Sequence, residues 1–126
     1  MSLFGVLPLK LERAADYPAF TLTYYSVWTG DPSTSTPFNF TGMSADCMFR
    51  VNADDTSSPV LSLTPTLGGA AGTYTIPLIT VANIETLWAA FGPGRKGCWD
   101  CRFTNAGSPV RVVDHSPVLI TSGVTR

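Results

Sequence analysis

Apolar side chains recur at every second position along most of this chain, and that period commits it to extended strands rather than helices. Leu7, Leu9 and Leu11 alternate with Pro8, Lys10 and Glu12. Between Ala19 and Trp28, the residues Phe20, Leu22, Tyr24 and Trp28 share one parity, with Thr21, Thr23 and Tyr25 on the other. Ala45, Cys47, Phe49 and Val51 alternate with Asp46, Met48 and Arg50, and Trp99, Cys101 and Phe103 with Cys98, Asp100 and Arg102. Shorter strands are expected over 60–64, 73–79, 109–113 and 117–121. Turn chemistry separates them: Thr29-Gly30-Asp31-Pro32 opens a Ser/Thr/Pro loop that runs to Pro37, 52–59 is polar, 67–72 is a Gly/Ala tip, and Asn105-Ala106-Gly107-Ser108 is a tight hairpin connection. Turns at intervals of about 8–12 residues predict an all-β sandwich, here a single domain over residues 1–126.

One segment departs from that period. Ile84, Leu87, Trp88 and Phe91 fall at the i, i+3, i+4, i+7 spacing of a helical stripe, with Thr80 placed to cap its start and Gly92-Pro93 to end it. A helix this short draws its stability from packing on a sheet, and is expected across one open end of the sandwich.

Charged residues make up 13% of the chain and the net charge is −1; globular domains usually carry roughly 25%. With a mean hydropathy of +0.18, these values argue against nucleic-acid binding, a polybasic membrane anchor and a disordered tail. They point to an uncharged surface suited to another protein. No apolar run approaches the roughly 18–20 residues of a membrane-spanning helix. The apolar start is short, and Lys10, Glu12 and Arg13 follow it rather than precede it, so no secretory leader is expected. The three cysteines are read as reduced thiols.

Each motif with a chemical precedent has a structural reading. Gly92-Pro93-Gly94-Arg95-Lys96-Gly97 spells G-x-G-x-x-G, but a phosphate loop needs a strand before it and a helix N-terminus after it. Here the order is reversed, which reads as a helix-to-strand turn. In Cys98-Trp99-Asp100-Cys101, residues three apart on a strand face opposite ways and cannot share a zinc ion. Cys47 and Cys101 are expected in the core and Cys98 partly exposed. His115 is the only histidine; Asp114 and Ser116 beside it diverge on a strand, so no local relay forms. Asp54-Asp55 reads as a solvated loop pair, and Asp100 as a residue on the outward face of its strand beside Arg102, placed to pair with a charge on a neighbouring strand. Tyr17, Tyr24, Tyr25, Trp28, Trp88 and Trp99 are expected mainly in packing. No catalytic, cofactor-binding or metal-ligating residue is assigned.

Taken in order, the features are Leu9-Lys10-Leu11-Glu12-Arg13-Ala14-Ala15-Asp16-Tyr17, an aromatic/Thr strand, Phe38-Asn39-Phe40-Thr41-Gly42, and a strand ending at Arg50. Then come a helix introduced by Pro77-Leu78-Ile79-Thr80, the strand Cys98-Trp99-Asp100-Cys101-Arg102-Phe103, a Gly hairpin, and Val124-Thr125-Arg126. This order resembles small β-sandwich structural proteins of tailed bacteriophages, similar to the N-terminal domain of the baseplate upper protein family. The chain departs from that pattern at Ala15, Asn39-Phe40 and Trp99-Asp100-Cys101. The resemblance implies an Ig-like antiparallel β-sandwich of seven to eight strands with one short helix, acting in the virion without catalysis.

The expected function is therefore a non-enzymatic bacteriophage virion structural protein, a homo-oligomeric tail, baseplate or head–tail component assembled in the host cytoplasm. Its partners are other virion proteins, with no nucleic acid, membrane or cofactor. Contact regions are expected at Met1 to Leu7, Thr29 to Pro37 and the C-terminal tail. Capsid decoration is the alternative within that class. A receptor- or carbohydrate-binding module using Trp28 or Tyr25 belongs to another class, as does a small hydrolase that brings His115 to a distant nucleophile.

Overall fold

Two sheets face each other across one shared apolar core in the computed structural model, which describes residues 5–52, 58–105 and 107–122. Asp54-Asp55, the first four residues of the expected N-terminal contact region, and Val124-Thr125-Arg126 lie outside the described residues. In chain order the strands are β1 (Leu9–Glu12), β2 (Phe20–Thr23), β3 (Tyr25–Val27), β4 (Thr36–Pro37), β5 (Ser44–Arg50), β6 (Leu61–Leu63), β7 (Thr66–Leu67) and β8 (Thr73–Ile76). Helix α1 (Val81–Phe91) then leads to β9 (Lys96–Asn105) and β10 (Ser108–Thr121). A five-stranded sheet runs β1-β10-β9-β5-β6 and a three-stranded sheet β2-β8-β7, while β3 and β4 form a separate two-stranded ribbon.

This strand order is that of an Ig-like sandwich. Strands β2, β8 and β7 take the places of B, E and D, and β5, β9 and β10 those of C, F and G, with β6 added beside C. The all-β class and the one α-helix among the described residues are as expected; four details differ. Strand β1 pairs with β10 in parallel, Leu9 opposite Val118 and Leu11 opposite Ile120, so the sandwich is not wholly antiparallel. Side-chain alternation is the same for either direction, and a period cannot report which way a neighbour runs. The strand expected over 19–28 splits at Tyr24 into β2 and β3, which belong to different sheets. The two strands expected at 109–113 and 117–121 are one, β10, whose register against β9 shifts between Arg111 and Val113 and again before Ser116. A bulge moves the apolar positions to the other parity, so one bent strand reads as two. With β4 and β7 only two residues long, the described strands number ten rather than seven or eight.

Aromatic rings close the two sheets. Trp99 of β9 stacks on Phe49 of β5, with centroids 5.7 Å apart, and meets the edge of Phe20 from β2 at 6.3 Å. The Tyr74 hydroxyl, on β8, donates across the core to the carbonyls of Arg102 (2.7 Å) and Asp46 (3.1 Å). Burial, with the Cys101 and Cys47 sulfurs close by, pushes that phenol well above its ordinary range.

Helix α1 begins as the sequence indicates, with the Thr80 hydroxyl accepting from the Asn83 amide at 3.1 Å. Asp16 adds a second cap from outside the helix, accepting from the Val81 amide at 2.8 Å. Ile84, Leu87 and Phe91 are buried. The half-buried Trp88 is flanked by two guanidinium groups, Arg13 at 4.6 Å and Arg95 at 4.1 Å from its ring centre. The Gly-rich hexamer is the helix-to-strand turn, and Gly97 has a packing reason. A Cβ there would stand 2.3 Å from the Phe91 ring and 2.7 Å from the Arg50 carbonyl oxygen.

Candidate docking surface

The β3–β4 ribbon leaves the sandwich where the β2 pattern stops. Past Thr23, the Tyr24 amide donates to the Gly72 carbonyl (2.8 Å) and the Phe38 amide to the Tyr24 carbonyl (2.9 Å), so the chain exits and returns through one clamp. Phe38 anchors the return, with its ring 4.8 Å from Phe40, 5.1 Å from Tyr24 and 5.4 Å from Phe103. Gly72 permits the clamp in two ways. Its φ of +73° suits glycine, and a Cβ would lie 2.5 Å from the Tyr24 carbonyl oxygen, a backbone atom that cannot swing aside. Gly72→Ala is therefore expected to destabilise the fold by about 3 kcal/mol. A near-wild-type urea midpoint would refute this account of the clamp.

Beyond the clamp, Tyr25 pairs with Pro37 and Val27 with Thr36, so the far end of the expected 29–37 loop is in fact strand. The tip is tied by hydroxyls around Asp31. Its carboxylate accepts from the Ser33 amide (3.0 Å) and hydroxyl (2.9 Å), bonds that hold the Asp31 pKa below its ordinary value. Its carbonyl accepts from the Thr34 and Ser35 amides, each at 3.1 Å. The Ser35 hydroxyl in turn accepts from the Thr29 amide at 2.9 Å. Asp31 is the only charged residue between Tyr17 and Ala45. Val27 and Trp28 are exposed to 55% and 57%, and the Tyr25 ring packs on Trp28 at 5.0 Å. The result is an ordered, nearly uncharged arm with an aromatic pair on its surface. Such a surface costs little to desolvate against another protein.

The other face of the large sheet is polar. Asp100 lies on the face away from the core and pairs with charges on neighbouring strands, as expected, but it is buried, at 2% exposure. It binds Arg50 of β5 at 3.0 Å and Arg111 of β10 at 3.2 Å, stitching three strands diagonally. Asp46 and Arg102 form a more exposed pair at 3.3 Å on the same face, and the Met48 sulfur lies 3.0 Å from Arg50 and 3.5 Å from Arg102. The signal was present in the sequence, since Arg50, Asp100 and Arg111 avoid the core parity. Their burial was not.

Cys98 is also buried rather than partly exposed, its thiol donating to the Arg50 carbonyl at 3.6 Å. Cys101 points the opposite way, into the core beside Cys47. Ser116 is buried, and its hydroxyl accepts from the Leu7 amide and donates to the Asp114 carbonyl, both at 2.7 Å. That serine holds the 5–7 segment on β10 rather than facing an open cleft. The Trp99 indole adds a bond to the Leu7 carbonyl at 2.8 Å, while Val6 between these anchors is 59% exposed. A surface recess of about 200 Å³ is lined by Lys10, Glu12, Ala15, Asp16 and Tyr17, and lies apart from His115 in its lining. Among the described residues no three His, Cys, Asp or Glu side chains gather closely enough to hold a metal ion, and no helix is long and apolar enough to cross a membrane.

The fold and the arm define an Ig-like β-sandwich with an exposed apolar appendage. No protein-family model matches the chain, and no curated protein matches its sequence. Among solved structures, a chimeric titin Z1Z2-Z1Z2 tandem functionalised with an exogenous peptide from fibronectin is similar over 95% of this chain, at 12% identity and a TM-score of 0.34. This chain spans 47% of that one. A likeness so low carries no argument, and the Ig-like assignment rests on strand order.

Proposed function

We propose that this chain is a non-enzymatic bacteriophage virion structural protein, a homo-oligomeric tail, baseplate or head–tail component that docks on other virion proteins. The observation that carries the docking is the β3–β4 arm: Val27 and Trp28 stand exposed on a ribbon with one charge, anchored to the core by Phe38. The virion setting is supported by the resemblance of the ordered sequence features to phage sandwich proteins. Binding proceeds by burial of uncharged surface around an aromatic anchor, the arrangement in which few residues dominate affinity.

The test is a Val27→Ser/Trp28→Ala variant. Both side chains are exposed, so the melting temperature should stay within a few degrees of wild type while incorporation into assembled particles falls at least about tenfold. Undiminished incorporation, or a wild-type chain that stays monomeric and binds no virion protein, would overturn the proposal. Copy number in purified particles separates a tail component, in tens or fewer, from capsid decoration, in hundreds.

The Tyr25–Trp28 pair favours a second reading, a receptor- or carbohydrate-binding module in which the rings stack on a sugar face. A glycan array without a hit for the wild-type chain removes it.

A further inference from the structure

We infer that Cys47 and Cys101 are a modification site, a dithiol that closes into a disulfide joining β5 to β9 when the chain folds in the presence of a low-molecular-weight disulfide such as oxidised glutathione. The inference is independent of the docking proposal. The two residues are directly opposite in the antiparallel β5–β9 register, and their sulfurs stand 2.7 Å apart. Residues so opposed have Cα atoms about 4.5 or 5.5 Å apart depending on the pair type. Both values lie within the range of about 4.4–6.8 Å that a disulfide spans. The sulfurs need to approach by only about 0.7 Å to reach bonding distance.

The third cysteine cannot compete once the strands have paired. Cys98 is three residues from Cys101 on the same strand, faces away from the core and donates to the Arg50 carbonyl. Antibody domains bridge their two sheets from strands B and F. Here Cys101, on the strand in the F position, meets Cys47 within its own sheet.

The step balances as two thiol–disulfide exchanges. The thiolate of one cysteine attacks oxidised glutathione, expelling one reduced glutathione and leaving a mixed disulfide. The second thiolate then attacks the protein-side sulfur and expels another. The protein loses two protons and two electrons, and the oxidant becomes two thiols. Cys47 and Cys101 are both fully buried in the folded chain, so the first exchange belongs to folding, before the core closes over them, and the second follows as β5 and β9 pair and bring the two sulfurs together. Burial also pushes the Cys101 thiol far above its ordinary pKa, which keeps the folded dithiol unreactive.

The test refolds the reduced, denatured full chain with reduced and oxidised glutathione, quenches with acid, and alkylates in denaturant with N-ethylmaleimide. One adduct per chain is expected, at Cys98. Fragmentation of the cross-linked peptide should place the bond between Cys47 and Cys101, and the oxidised chain should melt above the reduced one. Three adducts, a bond through Cys98, or a lower melting temperature for the oxidised chain would each overturn the inference.

Discussion

Trp99→Ala is expected to lower the unfolding free energy by about 4 kcal/mol, a large share of the roughly 5–15 kcal/mol that holds a domain together. The indole is fully buried between the two sheets, stacked on Phe49 and edge-on to Phe20. Removing it leaves a cavity at the centre of the core and takes the indole N–H from the Leu7 carbonyl, so the cost combines lost packing with a lost hydrogen bond. Urea unfolding should show the midpoint falling by about 2 M, for a slope near 2 kcal/mol/M. Trp99→Phe keeps much of the packing and loses the N–H, and should fall between the two. A Trp99→Ala midpoint within about 0.5 M of wild type would mean that the sheets do not close on this ring.

Asp100→Asn probes the opposite face of the same strand. The change keeps the shape and removes the carboxylate that Arg50 and Arg111 share. Because Asp100 and Arg50 have side chains only 2% and 6% exposed, water cannot replace the lost charge, and a loss of about 3–5 kcal/mol is expected. Asp46→Asn is the control. Asp46 and Arg102 are 39% and 28% exposed, so the same chemical change there should cost less than about 1 kcal/mol. Equal losses for the two variants, measured by chemical denaturation, would show that burial does not set the strength of this network.

Much of the fold was legible because a two-residue period reports directly which side of a strand meets the core. It located β5 to within one residue and β9 to within two at each end, and the helical stripe with its Thr80 cap located α1. The short pieces β4 and β7 were not legible, since two residues cannot display a period. Nor was the break at Tyr24, which is made by the backbone of Gly72, far along the chain. For the docking surface, the sequence indicated the 29–37 segment and singled out Trp28 and Tyr25. It did not show that a ribbon holds them together or that Phe38 anchors it.

By itself, then, the sequence determined which residues alternate, where the single helix starts, and how little charge the surface carries, because these depend on neighbours along the chain. Tertiary structure decided that β1 runs parallel to β10, that Asp100 and Cys98 are buried, and that Cys47 meets Cys101. Each of those facts depends on residues about 50 or more positions apart, or on what covers a face. Local spacing carries no record of either, since one alternating strand can pair in either direction and be covered on one face or both.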